Sequence, residues 1–355
     1  MQFTVKKQKG IVGLDIEDAS IAATEFEASG SSRIGATHVA PLAPGIVEDG
    51  EVVDAEALGG ALGSFFTKAK LPKEVRLGVA NQRLAMRVLQ LPRIEDKKEL
   101  NTAVRFQAQD ELPMPIDQAV LDYQVLRRFS DGDSMKMDVV VVAARRDMVA
   151  GFMEAARKGG LRPLGIDLSA FALIRALADG PDPQDSPEGA IVPTILYCNL
   201  GDLVNLAVAQ GAVCRFARVA PFGLEAITDM ISERQQLTFE HARQWLLHVG
   251  LEQDVEQIEG DRDIVTGARS ALEAAVSKLV DELRLSLDFY SNQEDALPIE
   301  QIVFTGAGTA IAGLAERLGG GVGLPCSVAR PRALEHLDAA TAARLTVSYG
   351  LGLER

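Results

Sequence analysis

Three carboxylates crowd one short turn. Asp15, Glu17 and Asp18 fall within four residues, just after the apolar run 11–14. A matching turn, Asn199-Leu200-Gly201-Asp202, follows a second apolar run 184 residues later. A third turn, Thr305-Gly306-Ala307-Gly308-Thr309, joins the apolar stretch 301–304 to a helical pattern. A glycine-rich strand-to-helix junction lets a ligand approach the backbone and aims N–H groups at it. At about 5 Å and an effective dielectric near 20, each pair of like charges in the first turn costs roughly 3 kcal/mol. A Mg²⁺ ion, which takes carboxylate and phosphate oxygens together, would offset part of that cost.

Other chemistries find less support. His241 and His248 share one helical face but lack an HExxH pattern and a third ligand. Neither a GxSxG elbow nor a phosphate-binding GxxxxGK[ST] loop occurs. The three cysteines, Cys198, Cys214 and Cys326, show no CxxC spacing and read as isolated thiols in a reducing compartment. Asp110 and Asp117 are candidate bases for a small-molecule kinase, but one lies on a helix and the other follows a proline-rich turn.

The elements around these turns alternate between strands and helices. Residues 11–16 and 19–26 read as a hairpin, and 75–80 and 84–91 as a second strand pair. Leu100, Ala103, Val104 and Ala108 lie on one helical face, which Pro113 and Pro115 end. Strands follow at 119–127 and 137–144, joined by the polar insert 130–134, then helices at 147–158 and 168–178 around a short strand near 164–166. Residues 179–190 carry three prolines and four acids and read as a linker; the acidic run 48–51 reads as a solvated loop. Beyond the linker come three strands, a helix near 222–234, and a helix from the N-cap Thr238 to Gly250. The stripe Leu272, Val276, Leu279, Leu283, Leu287, Tyr290 marks a long helix over 264–293, and a last helix covers about 338–352.

Composition narrows the possible partners. The chain has 355 residues, 47% of them hydrophobic, and a net charge of −14. That suggests about two packed domains and disfavours nucleic acid or anionic lipid as a ligand. One Trp and 5% aromatics leave little for base stacking. There is no stretch of 18 apolar residues and no secretory leader, so the expectation is a cytoplasmic protein.

The turns at 14–18 and 198–202 align residue for residue, which implies a duplicated domain with a cleft between the copies. Two such turns and a late glycine-rich turn resemble the actin-like ATPase superfamily. The stretches IVGLDIEDASIAATEF, NTAVRFQAQDELPMPIDQAVLDYQVL, DELRLSLDFYSNQ, IVFTGAGTAIAGL and SYGLGL narrow this, and nearly the whole chain resembles the type IV pilus assembly protein PilM family. The division protein FtsA is related. It ends in an amphipathic membrane helix, whereas this sequence ends at Gly350-Leu351-Gly352-Leu353-Glu354-Arg355.

The resemblance implies an α/β, two-lobed actin-like fold of duplicated RNase H-like domains. Lobe 1 would cover 1–178 with a 1C subdomain inserted at about 81–145, lobe 2 would cover 179–337, and 338–355 would return to lobe 1. It implies a cytoplasmic adaptor that holds the N-terminal tail of the inner-membrane protein PilN between subdomains 1A and 1C. PilN would link it to PilO and the pilus motor ATPase at the inner face of the membrane. ATP with Mg²⁺ would lie in the cleft against Asp15, Glu17, Asp18, Asn199, Gly201, Asp202, Gly306 and Gly308. No residue is assigned as a metal ligand or catalyst. The sequence departs from the family where Gly or Ser usually follows the Asp-Ile pair, at Asn199 in place of Asp, and at Trp245 in place of Lys. These departures predict weak ATP binding and negligible turnover. The alternatives are an FtsA-like filament former and an actin-fold kinase.

Overall fold

The computed structural model describes residues 10–27, 33–132, 134–178, 192–293 and 296–353. The linker expected at 179–190 lies outside them.

The first sheet opens with strands β1 (Ile11–Ile16), β2 (Ser20–Phe26) and β3 (Ile34–Pro41), each antiparallel to the one before. A small hairpin, β4 (Val47–Glu48) and β5 (Glu51–Val52), leads into helix α1 (Ala55–Ala69). The Asp54 carboxylate starts α1 by accepting from the Glu56 and Ala57 N–H groups at 3.0 and 2.9 Å. β6 (Glu74–Val79) then pairs parallel to β1. The hairpin holding the acidic run 48–51 differs from the solvated loop expected. Asp49 and Gly50 both have positive φ, and the Gly50 N–H turns inward to the Asp18 carboxylate at 3.1 Å.

The chain next leaves this sheet for β7 (Ala85–Pro92), α2 (Lys97–Glu111), β8 (Ala119–Asp131) and β9 (Ser134–Arg145). These strands form a separate three-stranded sheet in the order β7-β9-β8. Central β9 carries the run Val139–Val142, and α2 covers the sheet with Leu100, Val104 and Ala108. The β8–β9 ladder extends to an Asp131–Ser134 pair, and Lys136 reaches Asp131 at 2.5 Å.

Helix α3 (Arg146–Lys158) and β10 (Arg162–Leu168) bring the chain back, with β10 parallel to β6, and α4 (Ser169–Leu177) follows. The second half repeats the plan. β11 (Thr194–Leu200), β12 (Val204–Gln210) and β13 (Val213–Ala220) form an antiparallel set. Helices α5 (Leu224–Gln235), α6 (Phe239–Val249) and α7 (Arg262–Ser291) follow. β14 (Gln301–Thr305) then pairs parallel to β11; α8 (Leu314–Val322) and β15 (Cys326–Val328) complete the set. The two five-stranded sheets have the same order, β3-β2-β1-β6-β10 and β13-β12-β11-β14-β15, with the same pattern of strand directions. Along α7, Leu272, Leu279, Leu283 and Tyr290 are buried in the second core, with Val276 and Leu287 packed beside them.

The expected last helix is two helices, α9 (Ala339–Arg344) and α10 (Thr346–Gly352). The chain turns at Leu345, where the two helices part toward different neighbours. α9 faces the glycine-rich turn at 307–310, whereas α10 lies across β1 and α4. Thr346 bonds Thr305 of the second lobe at 2.9 Å, and Ser348 bonds Thr24 of the first at 2.8 Å. Gly350 allows the close approach, since a Cβ there would stand 1.9 Å from the Ala172 carbonyl oxygen. Gly350→Ala is therefore expected to lower stability by about 1–3 kcal/mol, the usual range for overpacking. Calorimetric melting checks it, and an unchanged midpoint would mean that α10 can move away freely.

Candidate functional site: the interlobe cleft

The β1–β2 turn carries Asp15, Glu17 and Asp18, and the β11–β12 turn carries Asn199, Gly201 and Asp202. Strand pairing places Asn199 beside Thr305, so the glycine-rich turn joins them. Asp15, Glu17, Asp18, Asn199 and Asp202 line one cavity of about 20 Å³, room for about one water molecule. Gly201 packs on Glu17, whose carboxylate oxygen lies 2.3 Å from where a Cβ would be. Gly306, at φ 89°, lies against the Asn199 side chain, and Gly308 against Leu200. In this arrangement those two glycines let the turn close onto β11.

Hydrogen bonds cross the cleft directly. The Ala19 N–H in the first turn donates to the Asp202 carboxylate of the second at 2.8 Å. The other Asp202 oxygen accepts from Arg243 of α6 at 2.9 Å. Asn199 donates to Glu17 at 3.4 Å. Asp18, only 1% exposed, accepts from Gly50 through one oxygen; its other oxygen has no N–H partner. It faces half-buried Glu225 in the first turn of α5.

Two guanidinium groups serve this cluster. Arg243 pairs with Asp202, and buried Arg344 pairs with Asp15, approaches Glu17 at 3.5 Å, and donates to the Ser20 hydroxyl at 2.9 Å. Burial works against the charge on Arg344, but Glu17 and Asp15 outweigh it and hold the side chain protonated. Five carboxylates thus meet two cations, and three of the carboxyl groups have raised pKa values. Burial pushes Glu17 up to about 7, with Arg344 opposing and Asp202 and Asp15 adding to the rise. Burial, then the bond to Asp18, then the charges of Asp18, Asp202 and Asp229, push Glu225 up to about 9. Asp18 is raised as well, chiefly by burial.

A polyphosphate does not fit these residues as they stand. The N–H at Ala19 is already taken by a carboxylate, and the free space is that of one water molecule. Nucleotide entry requires the lobes to part. Trp245 packs over Gly260 and against His248, with ring centroids 5.3 Å apart, rather than entering the cleft. A cation does reach the cleft from that helix, at Arg243, two residues before Trp245. Sequence reasoning missed Arg243, Arg344 and Glu225. Arg344 had a legible signal, since it is the one charged residue in the apolar run 339–353.

A family model described as type IV pilus assembly protein PilM matches residues 13–349. Among solved structures, the chain is similar to a PilM-PilN type IV pilus biogenesis complex, at 25% identity over 97% of this chain and 99% of that one, with a TM-score of 0.79. It also resembles the ethanolamine utilization protein EutJ from Carboxydothermus hydrogenoformans, at 14% identity over 96% of this chain and 88% of that one, with a TM-score of 0.54. MreB5 of Spiroplasma citri bound to ADP matches at 13% identity over 97% and 95% of the two chains, with a TM-score of 0.52. The last two show the actin-like fold alone.

Two outcomes follow from the charge balance. Raised carboxyl pKa values mean that the folded state binds more protons than the unfolded one above the ordinary glutamate value of 4.5. The cleft's contribution is complete below that value and is lost as pH rises through about 7 and then about 9. The melting midpoint should fall across that window, and less steeply in Glu225→Gln; a flat or rising midpoint would count against the proton count. Arg344→Leu strands Asp15 and Glu17 without their cation and should cost about 3–5 kcal/mol in denaturant unfolding. Arg344→Lys should recover only part, because an ammonium lacks the fork that reaches Asp15 and Ser20 together. A loss below about 1 kcal/mol for the leucine variant would refute the pairing.

Proposed function

The chain belongs to the type IV pilus assembly protein PilM family, and from that premise we propose that it is an adaptor holding the N-terminal cytoplasmic tail of a PilN partner. The supporting observation is a second, much larger cavity of about 600 Å³. Gln124, Val125 and Leu126 of β8 line one side, and Ile166 and Asp167 of β10 line the other, with Phe171 of α4 at the floor. β8 ends the three-stranded sheet, and β10 ends the first five-stranded sheet. Among the described residues, two edge strands therefore line one groove.

Such edges suit an extended peptide. Main-chain N–H and C=O groups on a sheet edge add a strand, and side-chain pockets choose its sequence. Leu126, Ile166, Phe171 and Ile174 offer an apolar lining. Arg175, paired with Asp167 and donating to the Gly350 carbonyl at 3.0 Å, gives the groove a fixed polar end. The insert at about 81–145 thus supplies one wall and lobe 1, over 1–178, the other.

Among the described residues no helix is long and apolar enough to cross a membrane. The tail would hold the protein at the cytoplasmic face of the inner membrane and connect it to PilO and the pilus motor ATPase. The cleft residues Asp15, Glu17, Asp18, Asn199, Gly201 and Asp202 act in this reading as an interlobe clasp, with Gly306 and Gly308 closing the third turn. ATP with Mg²⁺ would enter only an opened form.

Titration calorimetry with a synthetic peptide of the PilN cytoplasmic tail from the same genome tests the proposal. Binding at micromolar strength or better is expected, about −8 kcal/mol. Phe171→Asp and Leu126→Arg should each weaken it at least about tenfold, near 1.4 kcal/mol. No heat with the native protein, or full affinity in both variants, would refute the groove.

A further inference from the structure

Asp202 spends its two carboxylate oxygens on different lobes. One accepts from the Ala19 N–H of the β1–β2 turn at 2.8 Å, and the other from Arg243 of α6 at 2.9 Å. Only 1% of Asp202 is exposed, so water competes little for either donor. A turn N–H and a guanidinium are donors of the kind that hold phosphate and carboxylate oxygens alike.

The backbone leaves this carboxylate little freedom. Gly223 packs so closely that a Cβ there would stand 2.2 Å from the Asp202 carbonyl oxygen. The Leu224 N–H at the start of α5 donates to the Gly201 carbonyl at 2.9 Å. From the first lobe, the Glu17 carboxylate lies against Gly201. The turn is thus held on both sides, and the Asp202 side chain is delivered to Ala19 and Arg243.

We propose that Ala19 and Arg243 form an oxyanion site shared by the two lobes, and that Asp202 fills it as an internal anion. The chain thereby supplies the group that bridges its own lobes. A tethered carboxylate loses no translational freedom on binding, whereas a free phosphate does. Asp15, Glu17 and Asp18 also repel a multiply charged newcomer more than they repel one carboxylate. The native chain therefore keeps phosphates out of this site. Its vacated form takes a small oxyanion: acetate, which is the deleted side chain as a free ion, or inorganic phosphate. The peptide groove plays no part in this contact.

Chemical rescue on the full chain tests the site. Melting midpoints are compared for the native protein, Asp202→Gly and Asp202→Gly/Arg243→Ala. Each is measured in sodium acetate and in sodium phosphate, with sodium chloride at matched ionic strength as the reference. Asp202→Gly should melt lower than the native protein. Acetate or phosphate should recover most of that loss in a saturable way, because a ligand that binds only the folded state stabilises it. By titration calorimetry, phosphate should bind Asp202→Gly at least about tenfold more tightly than the native chain, near 1.4 kcal/mol. The double variant should show no rescue. Rescue that survives Arg243→Ala, or none in a folded Asp202→Gly, would overturn the site. Asp202→Ser, with a shorter side chain, replaces the glycine variant if that one fails to fold. Micromolar binding of phosphate or Mg·ATP to the native chain would overturn it without any variant.

Discussion

Two guanidinium groups, those of Arg344 and Arg243, meet five carboxylates in the closed cleft. Removing charges from water is costly, and mutual attraction offsets the cost only when partners and bonds are complete. Arg344 meets that condition by bonding both β1, through Asp15, and the start of β2, through Ser20. It lies at the end of α9, immediately before the turn at Leu345, so the position of the C-terminal helices depends on this pair. α10 in turn covers β1, β2 and α4, and Thr346 binds the second lobe through Thr305. One buried guanidinium thereby fixes the β1–β2 turn and the helix that crosses between the sheets.

The duplicated sheets differ at their turns, and the difference is chemical. The first turn presents a backbone N–H and the second a carboxylate, so the halves bond to each other at Ala19 and Asp202. Asn199 belongs to the same logic. As an amide it donates to Glu17 across the cleft, where an aspartate would add a sixth carboxylate. The repulsion expected from Asp15, Glu17 and Asp18 is thus met in three ways: by Arg344, by an amide donor, and by retained protons.

Much of this was legible in the sequence because it rests on local patterns. The repeat between 14–18 and 198–202 and the apolar runs before each turn mark β1 and β11, and the α7 stripe marks the long helix. β3 was not legible, since it is an edge strand with mostly half-exposed residues and no clean alternation. The break at Leu345 was hidden because no proline or glycine stands there; it falls where α9 and α10 part toward different neighbours. Arg243 and Glu225 reach the cleft through tertiary placement of α5 and α6, and nothing in their own neighbourhoods marks them. The acidic run at 48–51 misled for a related reason: its charge suggests solvent, but the glycine at its centre points a backbone N–H at Asp18.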